Sequence, residues 1–156
     1  MHHAKNLLQQ VATFQAIAPQ SVAASASVNG NVIDRMYYLS AVASCNLGAF
    51  VSSITGCTFK LQHGTLADGS NMADVSVIDP ITSASGTLPA KTLTLTNTNG
   101  AFGCDLTSLN RYIRVVATVA AGGTSTMLSV DLILAGKNVE PPTGPGLQDA
   151  PYGQLN

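Results

Sequence analysis

Asn110-Arg111-Tyr112-Ile113-Arg114-Val115-Val116-Ala117-Thr118-Val119 is the stretch whose periodicity decides the fold class. Ile113, Val115, Ala117 and Val119 share one side of an extended chain, and Tyr112, Arg114, Val116 and Thr118 share the other. Alternation at period two, in a run rich in β-branched residues, predicts a strand with one face in a core. Ala120–Ser125 follows, with Gly122 and Gly123, and Thr126–Leu134 then alternates again through Leu128, Val130, Leu132 and Leu134. Strand, glycine-containing loop and strand predict a β-hairpin.

Other segments look like partners for that pair. Leu39, Ala41, Ala43, Cys45 and Leu47 alternate, which predicts a strand whose inward face is small enough to let a neighbouring layer approach. Thr58–Gly64 places Phe59, Leu61 and His63 on one face and Lys60 and Gln62 on the other. Ala73, Val75 and Val77 mark another strand, and Leu93 and Leu95 alternate with Thr92, Thr94 and Thr96 in a further one. Turns are expected at the Asn29-Gly30 pair, over Asp68-Gly69-Ser70-Asn71 and over Asn97-Thr98-Asn99-Gly100, because asparagine, aspartate and glycine tolerate the positive φ that tight turns need. About seven or eight short strands with turn signals every ~8–12 residues predict an all-β protein, an antiparallel β-sandwich. Among sandwiches the jelly roll is preferred.

Both ends depart from this pattern. In residues 4–18, Leu7, Leu8, Val11 and Phe14 fit one face of a short helix that Pro19 would end. An extended arm with a strand around Phe14–Ile17 fits as well, and the two stay open. Residues 137–156 hold four prolines and three glycines, which excludes a core strand or helix and predicts an extended tail. The expected organisation is an N-terminal arm over 1–27, a β-sandwich over 28–136 and a Pro/Gly-rich arm over 137–156. The apolar side chains of the arms are the candidate partner contacts: Leu7, Leu8, Val11, Phe14, Val139, Leu147, Tyr152 and Leu155.

Composition bounds the function. Apolar residues make up 46% of the 156, but charged residues only 10%, against a usual share of about 25%. Serine, threonine, asparagine, glutamine and glycine fill the polar positions, and such a surface has little charge to keep copies apart. It suits a chain that spends its working life against other protein. The formal net charge is −1 and no basic stripe occurs, so nucleic acid is not an expected partner. No apolar run reaches the ~20 residues of a spanning helix, and residues 1–25 lack the pattern of a secretory signal, so no membrane association is expected.

No constellation for chemistry stands out. Cys45, Cys57 and Cys104 are widely spaced, without the clustering of a zinc site, and are expected to be reduced thiols acting as small hydrophobes. His2 and His3 sit at the extreme terminus, and His63 shares a strand face with Phe59 and Leu61. Asp68, Asn71 and Asp74 do not match an EF-hand loop, and the turn explains Asp68. No nucleophile elbow, zincin motif or phosphate-binding loop occurs. With no tryptophan and 5% aromatics, a sugar-binding platform is poorly supplied. The chain is expected not to be an enzyme and to need no cofactor or metal.

The runs Phe59-Lys60-Leu61-Gln62-His63-Gly64, Ala67-Asp68-Gly69-Ser70-Asn71-Met72-Ala73-Asp74-Val75 and Asn110-Arg111-Tyr112-Ile113-Arg114-Val115 resemble small virion proteins of tailed bacteriophages. Val32-Ile33-Asp34-Arg35 before a strand of small residues fits the same pattern. Several such proteins are capsid decoration, or cement, proteins. The resemblance spans roughly residues 28–135, and the Pro/Gly tail departs from it. It implies a sandwich or jelly roll on the outer surface of a phage head, stabilising contacts between capsomers. The implied partners are the major capsid protein and copies of the chain itself, as a dimer or trimer. The implied location is the virion, after synthesis in the host cytoplasm. The competing expectation is a carbohydrate- or receptor-binding sandwich of a phage tail or fibre, since Arg111–Arg114 also resembles discoidin-like modules.

Overall fold

The computed structural model describes residues 11–51, 54–75, 90–94 and 97–137. They form ten strands and, among the described residues, no helix. In chain order these are β1 (Val11–Ala23), β2 (Ser27–Asn29), β3 (Ile33–Asp34), β4 (Tyr38–Val51), β5 (Cys57–Gly64), β6 (Ala73–Asp74), β7 (Ala90–Leu93), β8 (Thr98–Asp105), β9 (Tyr112–Val119) and β10 (Ser125–Lys137).

One sheet runs β1-β10-β4-β8; the other runs β2-β9-β5-β6, with β3 also on β9 and β7 also on β5. All pairs are antiparallel. β2 and β3 occupy one strand position along β9, and β6 and β7 one along β5. Eight positions remain, and their pairings nest: β1 with β10, β2/β3 with β9, β4 with β8, β5 with β6/β7. This is one long hairpin rolled over on itself, which is the topology of a jelly roll. The expected all-β antiparallel sandwich is the fold.

The alternation read in the sequence supplies the core. Ala41, Ala43, Cys45 and Leu47 of β4 meet Leu134, Leu132, Val130 and Leu128 of β10 in register, all buried. From the opposite sheet, Phe59 and Leu61 of β5 and Ile113, Val115, Ala117 and Val119 of β9 fill the same space. Leu106 and Leu109 close one end.

Three local expectations differ from the structure. The strands of the expected hairpin exist, but β9 and β10 do not pair; the chain leaves one sheet at Val119 and enters the other at Ser125. Gly122 (φ +90°) and Gly123 (φ +103°) serve this crossing between layers. Of the two readings left open for residues 4–18, the short helix is not what forms: from Val11 onward the chain is strand, as in the extended alternative with a strand around Phe14–Ile17, and it joins the sandwich as β1. Its pairing with β10 outweighs the helical spacing, since a short helix is marginal by itself. Pro19 lies where the β1–β10 register shifts, on an edge strand, where proline is tolerated. Finally, of the turn expected over Asn97–Gly100, only Asn97 (φ 49°) is turn, and Thr98, Asn99 and Gly100 lie within β8. Gly100 is closely packed there: a Cβ would stand 2.8 Å from Leu93 Cδ2 and 2.9 Å from Lys91 Cε, so those side-chain ends would have to shift.

Candidate functional site

Of the candidate contact residues, Leu7, Leu8, Val139, Leu147, Tyr152 and Leu155 lie outside the described residues. Val11 stands at the start of β1 opposite Ala135. Phe14 pairs with Leu132 and packs on the chain's own core. The residues that form a surface of consistent character are the outward-facing positions of the two sheets.

On the sheet containing β5 and β9 the outward side chains are bonded to one another. Lys60 Nζ donates to Asp74 Oδ2 at 2.7 Å, and Gln62 Nε2 donates to Asp74 Oδ1 at 2.7 Å. Arg114 Nε donates to Gln62 Oε1 at 2.8 Å, across the register pair Gln62–Arg114. Thr118 bonds Ser27 at 2.9 Å, and Thr58 bonds Thr92 at 3.0 Å. At the end of this face Arg111 grips Asp34 in a fork, with 2.7 Å between Nη2 and Oδ2, and its guanidinium lies 5.3 Å from the centre of the Tyr112 ring. The hydrogen bond from Arg111 holds the Asp34 carboxyl below its ordinary value. Those from Lys60 and then Gln62 do the same for Asp74.

The outer face of β1-β10-β4-β8 is different. Its cross-strand rows, read from the register, are Val11–Ala135–Ser40–Asp105, Thr13–Ile133–Val42–Gly103 and Gln15–Asp131–Ser44–Ala101, followed by Ser129–Asn46–Asn99. Met127 lies beyond them beside Gly48. Among these residues the only charges are Asp105 and Asp131; there is no lysine or arginine. Val42 is 43% exposed and Met127 49%. Where β8 begins beside β4, Asn46, Leu47, Asn97, Thr98 and Asn99 line a polar hollow of about 350 Å³.

The sequence did not single this face out, because alternation gives the outward positions of each strand without saying which strands adjoin. A signal was nonetheless present. Outward positions of β4 (Ser40, Val42, Ser44, Asn46) carry no charge, and those of β10 from Met127 to Ala135 (Met127, Ser129, Asp131, Ile133, Ala135) carry one, with Lys137 following at the strand's end opposite Tyr38.

The groups considered for chemistry have structural partners. His63 Nδ1 accepts from the Asn110 backbone N–H at 3.0 Å, which puts the ring proton on Nε2. Burial, with the nearby Arg35 charge, pushes the His63 pKa down. Arg35 Nε donates to the Asn110 carbonyl at 3.0 Å and its Nη2 to the Leu109 carbonyl, so the segment before β9 is held from two sides. Asp68 Oδ1 accepts from Ser70 N at 2.9 Å and Ser70 Oγ at 2.8 Å, closing the Asp68-Gly69 turn. The three cysteines are free, and burial pushes the Cys45 and Cys57 thiols up to about 12 and Cys104 to about 11. At such values the reactive thiolate is scarce near neutral pH.

No family model matches the chain, and no curated protein matches it either. Solved structures similar in fold include the SPBc2 prophage-derived protein YomS, at 13% identity and a TM-score of 0.44, covering 81% of this chain and 93% of that one. Another is a chain of the infectious bursal disease virus Gx strain, at 14% identity and a TM-score of 0.48, covering 85% of this chain and 33% of that one. A third is the family 11 carbohydrate-binding module from Clostridium thermocellum, at 11% identity and a TM-score of 0.33, covering 81% of this chain and 88% of that one.

Proposed function

We propose that the chain is a structural virion protein, a capsid decoration or cement protein on the outer surface of a phage head. Its partners in this role are the major capsid protein and further copies of itself, and it stabilises contacts between capsomers. The observation that carries the proposal is the outer face of β1-β10-β4-β8, whose rows from Val11–Ala135–Ser40–Asp105 to Ser129–Asn46–Asn99 hold no lysine or arginine and which exposes Val42 and Met127. A face depleted of charge, with apolar side chains among small polar ones, matches the make-up of the centre of a protein–protein interface. The resemblance of the β5, 65–75 and β9 segments to small phage virion proteins supports the same role.

A shell repeats the same binding site many times. Modest contacts made by each copy to two capsomers at once add through effective concentration, without any one contact being strong. The contacts expected of Leu7, Leu8, Val11, Phe14, Val139, Leu147, Tyr152 and Leu155 belong to this proposal.

The test is biochemical. Particles purified from the source are expected to contain the chain in a fixed ratio to the major capsid protein. Heads stripped of it are expected to rebind it and to resist heating better afterwards. Its absence from purified particles overturns the proposal.

A further inference from the structure

The two edges of the β1-β10-β4-β8 sheet are built differently. Edge strands attract foreign strands, and proteins guard them with proline, bulges and lysine. β1 is guarded: it carries Pro19 and two register shifts against β10. β8 has none of these devices. It pairs with β4 over eight consecutive positions, Ser40↔Asp105 to Leu47↔Thr98, with no shift, and contains neither proline nor lysine. Among the described residues no strand hydrogen-bonds to its other side. Its inward-facing Phe102 and Cys104 pack on the core but are only half-buried.

We propose that β8 is a self-pairing edge: two copies of this chain join β8 to β8, antiparallel, about a two-fold axis through Phe102. Their sheets then form one continuous sheet of twice the width. Opposed residues of an antiparallel pair point to the same face. In this register Ala101 opposes Gly103, Gly100 opposes Cys104, and Asn99 opposes Asp105, twice over by symmetry. Each pair is same-faced in the monomer: Asn99, Ala101, Gly103 and Asp105 point out, and Gly100, Phe102 and Cys104 point in. The half-buried Phe102 side chains meet at the axis and cover each other.

Charge selects a second copy as the occupant. The one charged residue of β8, Asp105, meets an asparagine amide and not another carboxylate. Asp105 Oδ1 is occupied by the Thr107 backbone N–H at 2.8 Å, and Oδ2 has no protein partner among the described residues. Asn99 lines the polar hollow together with Asn46 and Asn97. Joined this way, the two outer faces, each poor in charge, become one surface. The inference rests on the shell role above only for its setting, because it is tested on the free protein.

The experiment is sedimentation-equilibrium measurement of the full chain over a wide concentration range. The unaltered chain is expected to dimerise reversibly. Asn99→Asp sets two pairs of carboxylates against each other and is expected to raise the dimer Kd about tenfold. Asn99→Lys is expected to tighten the dimer, and Asn99→Asp combined with Asp105→Asn to restore it. The tightening variant guards against mistaking misfolding for a broken interface. A strictly monomeric chain overturns the inference, whether β8 then proves empty or takes up a strand of another protein. So does an oligomer indifferent to all three variants. Absence from particles, by contrast, leaves this dimer intact and overturns only the shell role.

Discussion

The two outer faces of this jelly roll are made from the same kind of strand, yet one is finished and the other is not. On the β9–β5 face, Lys60, Asp74, Gln62 and Arg114 satisfy one another in a chain of hydrogen bonds. On the β10–β4 face, Val42, Ile133, Ser44 and Ala101 stand in rows with no partner of opposite charge. Polar side chains that bond across a sheet surface suit permanent contact with water. A flat face of small uncharged side chains loses little by being desolvated, since few strongly hydrated groups are given up when it is covered. Under the proposed role, then, one common core carries a face finished for water and a face left for protein.

The largest effect comes from what the faces share. Phe59→Ala removes a fully buried side chain between the sheets and is expected to cost about 3–5 kcal/mol in urea unfolding. Both faces should be lost in one transition; two separate transitions would show that the sheets do not depend on a common core.

Next comes binding. Val42→Lys together with Ile133→Lys on the protein face is expected to lower rebinding to stripped heads at least about tenfold, a loss of ~1.4 kcal/mol. Folding stability should move by no more than about 0.5 kcal/mol per site, as for ordinary surface changes. The mirror experiment, Lys60→Gln on the water face, is expected to leave head binding unchanged. If the two faces respond alike, the division between them is wrong.

A third test uses pH. His63 is held neutral in the fold by burial and by the charge of Arg35, so its folded pKa lies below its unfolded one. Stability is then complete above the unfolded value of about 6.5 and falls as pH drops through and below it, because the unfolded chain takes up a proton that the folded chain resists. Denaturant titrations at stepwise lower pH should show this decline, and His63→Gln should flatten it.

The smallest effect belongs to the exposed Lys60–Asp74 pair. Asp74→Asn is expected to cost less than about 1 kcal/mol at neutral pH and low salt, and less still at high salt. Because the folded pKa of Asp74 is depressed, its contribution is present above about 3.9 and disappears as pH falls through the folded value. A cost that persists at pH 2 would place the effect in packing and not in charge.

Much of the fold was legible in advance because alternation is a local property. Leu128, Val130, Leu132 and Leu134, or Ala41, Ala43 and Cys45, declare their inward face within one strand's length, and all are buried. The small inward side of β4 and the turn at Asp68-Gly69 could be read in the same way. The protein face was less legible. It consists of residues brought together from positions 11–15, 40–46, 99–105 and 129–135, and no local pattern links Thr13 to Gly103. The choice between helix and extended arm near the N-terminus stayed open for a related reason. Spacing of apolar residues at 7, 8, 11 and 14 fits a helix, but the partner that makes residues 11–23 a strand is β10, more than a hundred residues away.

By itself, then, the sequence determined strand identity, the inward side of each strand and an unusually uncharged surface, because these follow from side-chain type at period two. Tertiary structure decided which strands adjoin. β9 and β10 are neighbours in sequence, separated by a loop well suited to a hairpin, yet they lie in different sheets. Each pairs with distant strands instead, β9 with β5 and β10 with β4 and β1, and in this nested order the apolar faces of both sheets share one core.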